Sequence, residues 1–85
     1  MTPRADRLLE WLNRRFAPHA ATPIAPATPL FAGGLINSIR ILEIIAWVER
    51  ETGRTIPDAQ IRMDNFQTVE RIADVFLQEL EHVDA

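Results

Sequence analysis

Apolar residues recur at three- and four-residue intervals in three separate stretches of the chain, and nowhere do they alternate as in a half-buried strand. The first stretch places Ala5, Leu8, Leu9, Leu12 and Phe16 within one stripe, with Arg4, Arg7, Glu10 and Arg14 on the opposite side. Thr2 is a suitable N-cap and Pro3 fits the first helical position, where its missing N–H does no harm. Pro18 ends this helix, because the residue before a proline is pushed out of the α region. The last stretch is the clearest. Behind a Thr68 cap, Val69, Ile72, Ala73, Phe76, Leu77, Leu80 and Val83 share a narrow arc, and Glu70, Asp74, Gln78 and Glu81 take the wet side.

Between them, Ser38 to about Thr52 predicts the second helix, with Ser38 as its N-cap and Gly53 in the left-handed position just past its end. From Pro18 to Asn37 no period is visible. Pro18, Pro23, Pro26 and Pro29 stiffen this loop, Gly33 and Gly34 close it, and Ile24, Leu30, Phe31 and Leu35 are anchors that let it lie ordered on a helical core. Thr55 to Gln67 reads as a connector with one short helix. Pro57 breaks the chain there, Asp58 or Asp64 caps a turn, and Ile56, Ile61, Met63 and Phe66 point inward. The expected fold is an all-α four-helix bundle, three main helices and one short one, with a long first loop, forming a single domain over residues 1–85.

The second helix carries more apolar surface than packing requires. Ile41, Ile44, Ile45 and Val48 form one stripe, sufficient to join a small bundle, while Ile39, Leu42 and Ala46 form another roughly 100–160° away from Ile41. Arg40, Glu43, Glu49 and Arg50 border the second stripe like a polar rim. Either the long loop covers Ile39 and Leu42, or the stripe is a docking face that begins one residue beyond Ser38. Trp47 lies off both stripes, so it packs on the loop or enlarges the partner surface. Trp11 reads as a partly buried residue of the first helix.

Composition narrows the chemistry. The 85 residues hold no cysteine, which excludes disulfides and thiolate metal sites, and His19 and His82 are too scattered to bind a metal. Hydrophobic content of 47% and charged content of 25% are those of an ordinary folded domain. The formal charge of −3, with no basic run beyond Arg14 and Arg15, argues against nucleic acid. The longest apolar run, Ile44 to Val48, is far short of the roughly 20 residues that span a bilayer. Asp6 and Glu10 interrupt any signal-peptide core, so a cytoplasmic protein is expected. No residue is placed by sequence to activate Ser38 as a nucleophile, and the chain reads as no enzyme.

The segment Gly33-Gly34-Leu35-Ile36-Asn37-Ser38-Ile39-Arg40-Ile41-Leu42-Glu43 resembles the attachment segment of acyl carrier proteins. The likeness continues through Ile44 to Gly53, then Ile56-Pro57-Asp58 and Asn65-Phe66-Gln67-Thr68-Val69. It covers Phe31 to Phe76 well and Leu8 to Phe16 loosely. The serine motif alone is common; the four elements at these mutual distances make the signal strong. Within the family the pattern is most similar to freestanding carriers, including those that accept amino acids or small acids from adenylating ligases. The resemblance implies covalent 4′-phosphopantetheine, derived from coenzyme A, on Ser38, holding an acyl or aminoacyl group as a thioester. Asn37, Ile39, Arg40, Leu42, Glu43 and Ala46 would then meet partners. Those implied are a phosphopantetheinyl transferase, an AMP-forming acyl or aminoacyl ligase, and a downstream acyl transferase or synthase, with the carrier a monomer.

Three positions depart from the family pattern. Asn37 replaces the usual aspartate, which in the family helps dock partners through basic residues. Arg40 and Arg50 occupy a normally acidic helix face, implying a partner surface of mixed sign. Thr52 stands where an aromatic is common, leaving Trp47 or Phe66 to fill the lower core. At an N-cap, Ser38 would sit near first-turn N–H groups that favour a phosphodiester. Large Trp47, Phe66 and Phe76 suggest a filled interior and favour short or amino acid cargo. The rival reading is a helical adaptor that binds a protein through Ile39, Leu42 and Ala46 without a prosthetic group.

Overall fold

The computed structural model describes residues 2–19 and 21–78. Helix α1 spans Pro3–Phe16, α2 spans Ser38–Thr52 and α3 spans Val69–Phe76, with no strand among the described residues. Two 3-10 turns, Asp58–Gln60 and Met63–Phe66, stand where one short helix was expected.

The caps follow from local chemistry. Thr2 Oγ1 accepts the Ala5 N–H at 3.2 Å, with Pro3 in the first turn, and Thr68 Oγ1 accepts the Arg71 N–H at 3.0 Å. Gly53 closes α2 at φ 71°, its N–H donating to the Glu49 carbonyl; a side chain would be strained in that left-handed conformation. The start of α2 differs from expectation. Asn37, not Ser38, is the cap, because its backbone is extended and its short carboxamide reaches both the Ile39 and Arg40 N–H groups. Ser38 becomes the first helical residue.

One core joins all three helices. Leu8 and Leu12 of α1, Ile44, Ile45 and Val48 of α2, and Val69, Ile72 and Leu77 in and just beyond α3 are buried together with Phe66. Phe66 stacks on Phe76 at 5.1 Å between ring centres. Thr52 turns its hydroxyl back onto the Val48 carbonyl, and Phe66 is fully buried while Trp47 is not. Trp47 is half-buried and stacks on Trp11 of α1 at 6.0 Å. Periodicity within α2 gave no sign of this, because the stacking partner is contributed by another helix. Ile61 and Met63 differ from expectation and are exposed, whereas Ile56 and Phe66 are buried as expected and Asn65 is buried beside Phe66 in the chain. Leu80, His82 and Val83 lie outside the described residues.

The long loop is ordered by specific bonds. Asn13 of α1 donates from Nδ2 to the carbonyls of Leu9 and Ile24 and accepts the Ile24 N–H on Oδ1 at 2.7 Å. Farther on, the Leu30 N–H donates to the Gln67 carbonyl and the Glu70 N–H to the Pro26 carbonyl, pinning the loop to the start of α3. Ile24, Leu30 and Ile36 are buried, and Phe31 and Leu35 half-buried. Each bond satisfies a backbone group that would otherwise be desolvated at a cost. Asn13→Leu removes both partners of Ile24 at once. It should lower the unfolding free energy by about 1–3 kcal/mol, read from urea denaturation.

Candidate functional site

The first turn of α2 presents Ser38 to solvent, with Asn37 and Ile39 exposed on either side of it. Ile39 is 73% exposed and Leu42 63% exposed, and Ala46 is exposed one turn on. The loop therefore does not cover the second stripe. It lies on α1 and α3 instead, held by Asn13, Gln67 and Glu70. An apolar strip of this kind, exposed beside one serine, is uncommon unless something binds it.

The expected polar rim is arranged differently. Arg40 is half-buried: its Nη1 donates to the Leu35 carbonyl at 2.7 Å and its guanidinium lies 4.9 Å from the centre of the Phe16 ring. It latches the segment entering α2 to the end of α1. Glu43 accepts from Arg15 Nε at 2.8 Å, a second tie between the same two helices. Arg15 also lies over the Phe16 ring, 5.6 Å from its centre. Of the residues singled out from sequence, Ser38, Ile39, Leu42 and Ala46 thus share one open face. Asn37 caps that face, while Arg40 and Glu43 turn toward α1. Sequence reasoning missed the part played by Arg15 and Phe16. Its only available trace was the Arg14-Arg15 pair and an aromatic at the very end of the α1 stripe.

Electrostatics at the serine are mild. α2 has no acidic residue in its first turn, and two of its orphan N–H groups are already bonded to Asn37. Any attraction for a phosphodiester on Ser38 would then come from the helix dipole and from the first-turn N–H groups that Asn37 does not occupy. Its exposed hydroxyl, at the head of a rigid helix, fits covalent attachment of a long arm without displacing any core residue. A cleft bordered by Val48, Thr52, Ile56 and Phe76 lies at the other end of α2. That end is roughly 21 Å along the helix axis from Ser38, so the cleft is remote from the serine.

The family model described as phosphopantetheine attachment site matches residues 8–76. The chain belongs to this family. It is a phosphopantetheine carrier protein, with the arm held covalently, and it is the substrate of other enzymes rather than a catalyst. The adaptor reading without a prosthetic group is thereby set aside.

No curated protein sequence matches the chain. Among solved structures, a Bradyrhizobium japonicum glycine:carrier protein ligase complexed with glycylated carrier protein contains a similar chain. It is 26% identical with a TM-score of 0.65, over 84% of this carrier and 96% of that chain. The same ligase complexed with its cognate carrier protein and an analogue of glycyl adenylate gives 27% identity and a TM-score of 0.64. There the match covers 88% of this carrier and 99% of that chain. A third structure, described as an FAD-dependent dehydrogenase, matches at TM-score 0.71 and 24% identity, over 82% of this carrier and 99% of that chain. At that identity the likeness is one of fold. No helix among the described residues of this carrier is long and apolar enough to cross a membrane.

Removing the cap tests how the serine is presented. Asn37→Ala should lower stability by about 0.5–2 kcal/mol, because two N–H groups lose their acceptor, whereas Asn37→Asp should hold or raise it. Thermal melting followed by circular dichroism at neutral pH checks both.

Proposed function

We infer that Ser38 is the attachment residue, and that the carrier holds an amino acid or another short acyl group for transfer. The observation that carries this is the serine's position. It is solvent-exposed on the first turn of α2, on the same face as uncovered Ile39, Leu42 and Ala46. Attachment forms a phosphodiester between the Ser38 oxygen and phosphopantetheine and releases the nucleotide half of coenzyme A. A phosphopantetheinyl transferase supplies the base that takes the hydroxyl proton. The arm contributes a thiol, which this cysteine-free chain lacks.

Support for the cargo comes from the two similar chains crystallised with a glycine:carrier protein ligase, one of them glycylated. An AMP-forming ligase would load the carrier, and a downstream acyl transferase or synthase would unload it. Short cargo is also in keeping with Phe66 and Phe76, which stack on each other and take up part of the bundle interior. This reading places a single-domain, monomeric carrier in the cytoplasm, where its partners find coenzyme A and ATP.

Incubation with coenzyme A and a phosphopantetheinyl transferase should raise the intact mass by one phosphopantetheine. Ser38→Ala should show no gain while melting at a similar temperature. A gain that survives in Ser38→Ala would place the arm elsewhere. Intact mass of the protein taken from its own cells should show an added amino acid or short acyl group that hydroxylamine removes, as expected of a thioester.

A further inference from the structure

The carboxylates of α2 are all engaged within the domain. Glu43 is held by Arg15, Glu49 Oε2 accepts the Ile56 N–H at 2.9 Å, and Glu51 is held by Arg7 and, at 3.9 Å, by Arg4. Arg40 is likewise turned onto Phe16 and Leu35. Arg50 differs. It is exposed in the last turn, and its side chain makes no ion pair or hydrogen bond with the described residues. Ile39, Leu42, Ala46 and Arg50 follow one another at intervals of three, four and four residues, which places them along one line on the helix. Arg50 points within about 20° of Ile39 and lies roughly 17 Å along the axis from it. The exposed face is therefore an apolar strip that ends in a cation and carries no free carboxylate of its own helix.

We propose that the enzyme that loads this carrier docks on that line through an apolar pocket for Ile39 and Leu42 and a carboxylate that meets Arg50. The proposal deepens the attachment reading and rests on it. The occupant follows from charge complementarity. A basic docking surface would find no available acid on α2 and would face Arg50, and like charges brought together at an interface are costly. An acidic group at that point gains a partner with five donors in a fixed fork, already exposed and with no bond to the described residues to break. With its charge at one end of the strip, the carrier also has a defined polarity along α2, which sets which way round the ligase sits relative to Ser38.

The test uses the armed protein, made with coenzyme A and a transferase. It is added to a desalted extract of the cells it comes from, with ATP and a mixture of amino acids and short carboxylic acids. Intact mass followed over time gives the initial rate of loading. Wild type should load, more slowly as salt is raised. Arg50→Glu should load several-fold more slowly, Arg50→Gln should lose most of the salt dependence, and Arg50→Lys should restore much of the wild-type rate. Arg14→Gln, which removes an exposed cation of α1 that lies off this line, should load at close to the wild-type rate, and Ile39→Glu should load poorly. All variants should melt within a few degrees of wild type; should Arg50→Glu not fold, Arg50→Gln and its salt profile decide. Loading of Arg50→Glu and Arg50→Gln at the wild-type rate overturns the proposal. So does an Arg14→Gln variant as impaired as Arg50→Glu, or an armed wild type that gains no acyl mass. Failure of the arm to attach at Ser38 is a separate result, and it overturns the attachment reading before docking is reached.

Discussion

The paired hydrogen bonds between the Asn13 carboxamide and the backbone of Ile24 are the constraint on which the site depends. They draw the proline-rich loop onto α1, and the bonds from Leu30 to Gln67 and from Glu70 to Pro26 then carry it to α3. A loop of that length has enough apolar side chains to have covered Ile39 and Leu42 instead. Because its buried anchors Ile24, Leu30 and Ile36 are spent on the common core, α2 keeps one face dry and the other open. The same route delivers Leu35, Ile36 and Asn37 to the head of α2, so loop placement and serine presentation are one structural event.

A carrier has to be rigid where enzymes grip it and inert where cargo hangs. The first turn of α2 meets the first requirement through three short ties: the Asn37 cap, the Arg40 contact with Leu35 and Phe16, and the Arg15 bond to Glu43. An exposed ion pair such as Arg15–Glu43 contributes little stability singly. Here it and the Arg40 contact restrict orientation, since both join the region around Ser38 to the end of α1. The second requirement is met by composition, because a chain without cysteine offers no thiol of its own to accept cargo. Using its carboxylates internally also makes this carrier unlike the acidic-helix pattern that its resemblance implied. What it leaves for partners is an apolar strip with a cation at its far end.

How much was legible depended on the range of the interaction. The caps at Thr2 and Thr68, the αL glycine at Gly53, and the buried stripes of all three helices could be read directly. The Ser38 cap could not, because serine and asparagine are nearly equal as caps and adjacent in the chain, and only the extended backbone at Asn37 decides between them. Ile61 and Met63 looked like core residues by type, yet a connector with no steady period gives no way to tell inward from outward.

By itself the sequence determined an all-helical domain, where its three main helices begin to within a residue, the doubled apolar character of α2 and the serine at its head; it carried the last helix on to Val83, whereas α3 closes at Phe76. These are properties of neighbours within a few residues, where periodicity and backbone chemistry act. Tertiary structure alone decided that the loop leaves Ile39 and Leu42 uncovered, that Trp47 stacks on Trp11, and that Arg40 and Glu43 turn to α1 while Arg50 stays outside. Those outcomes depend on partners that come from other segments, and a side chain of given type and spacing can face solvent or a distant residue equally well until packing brings that residue within reach.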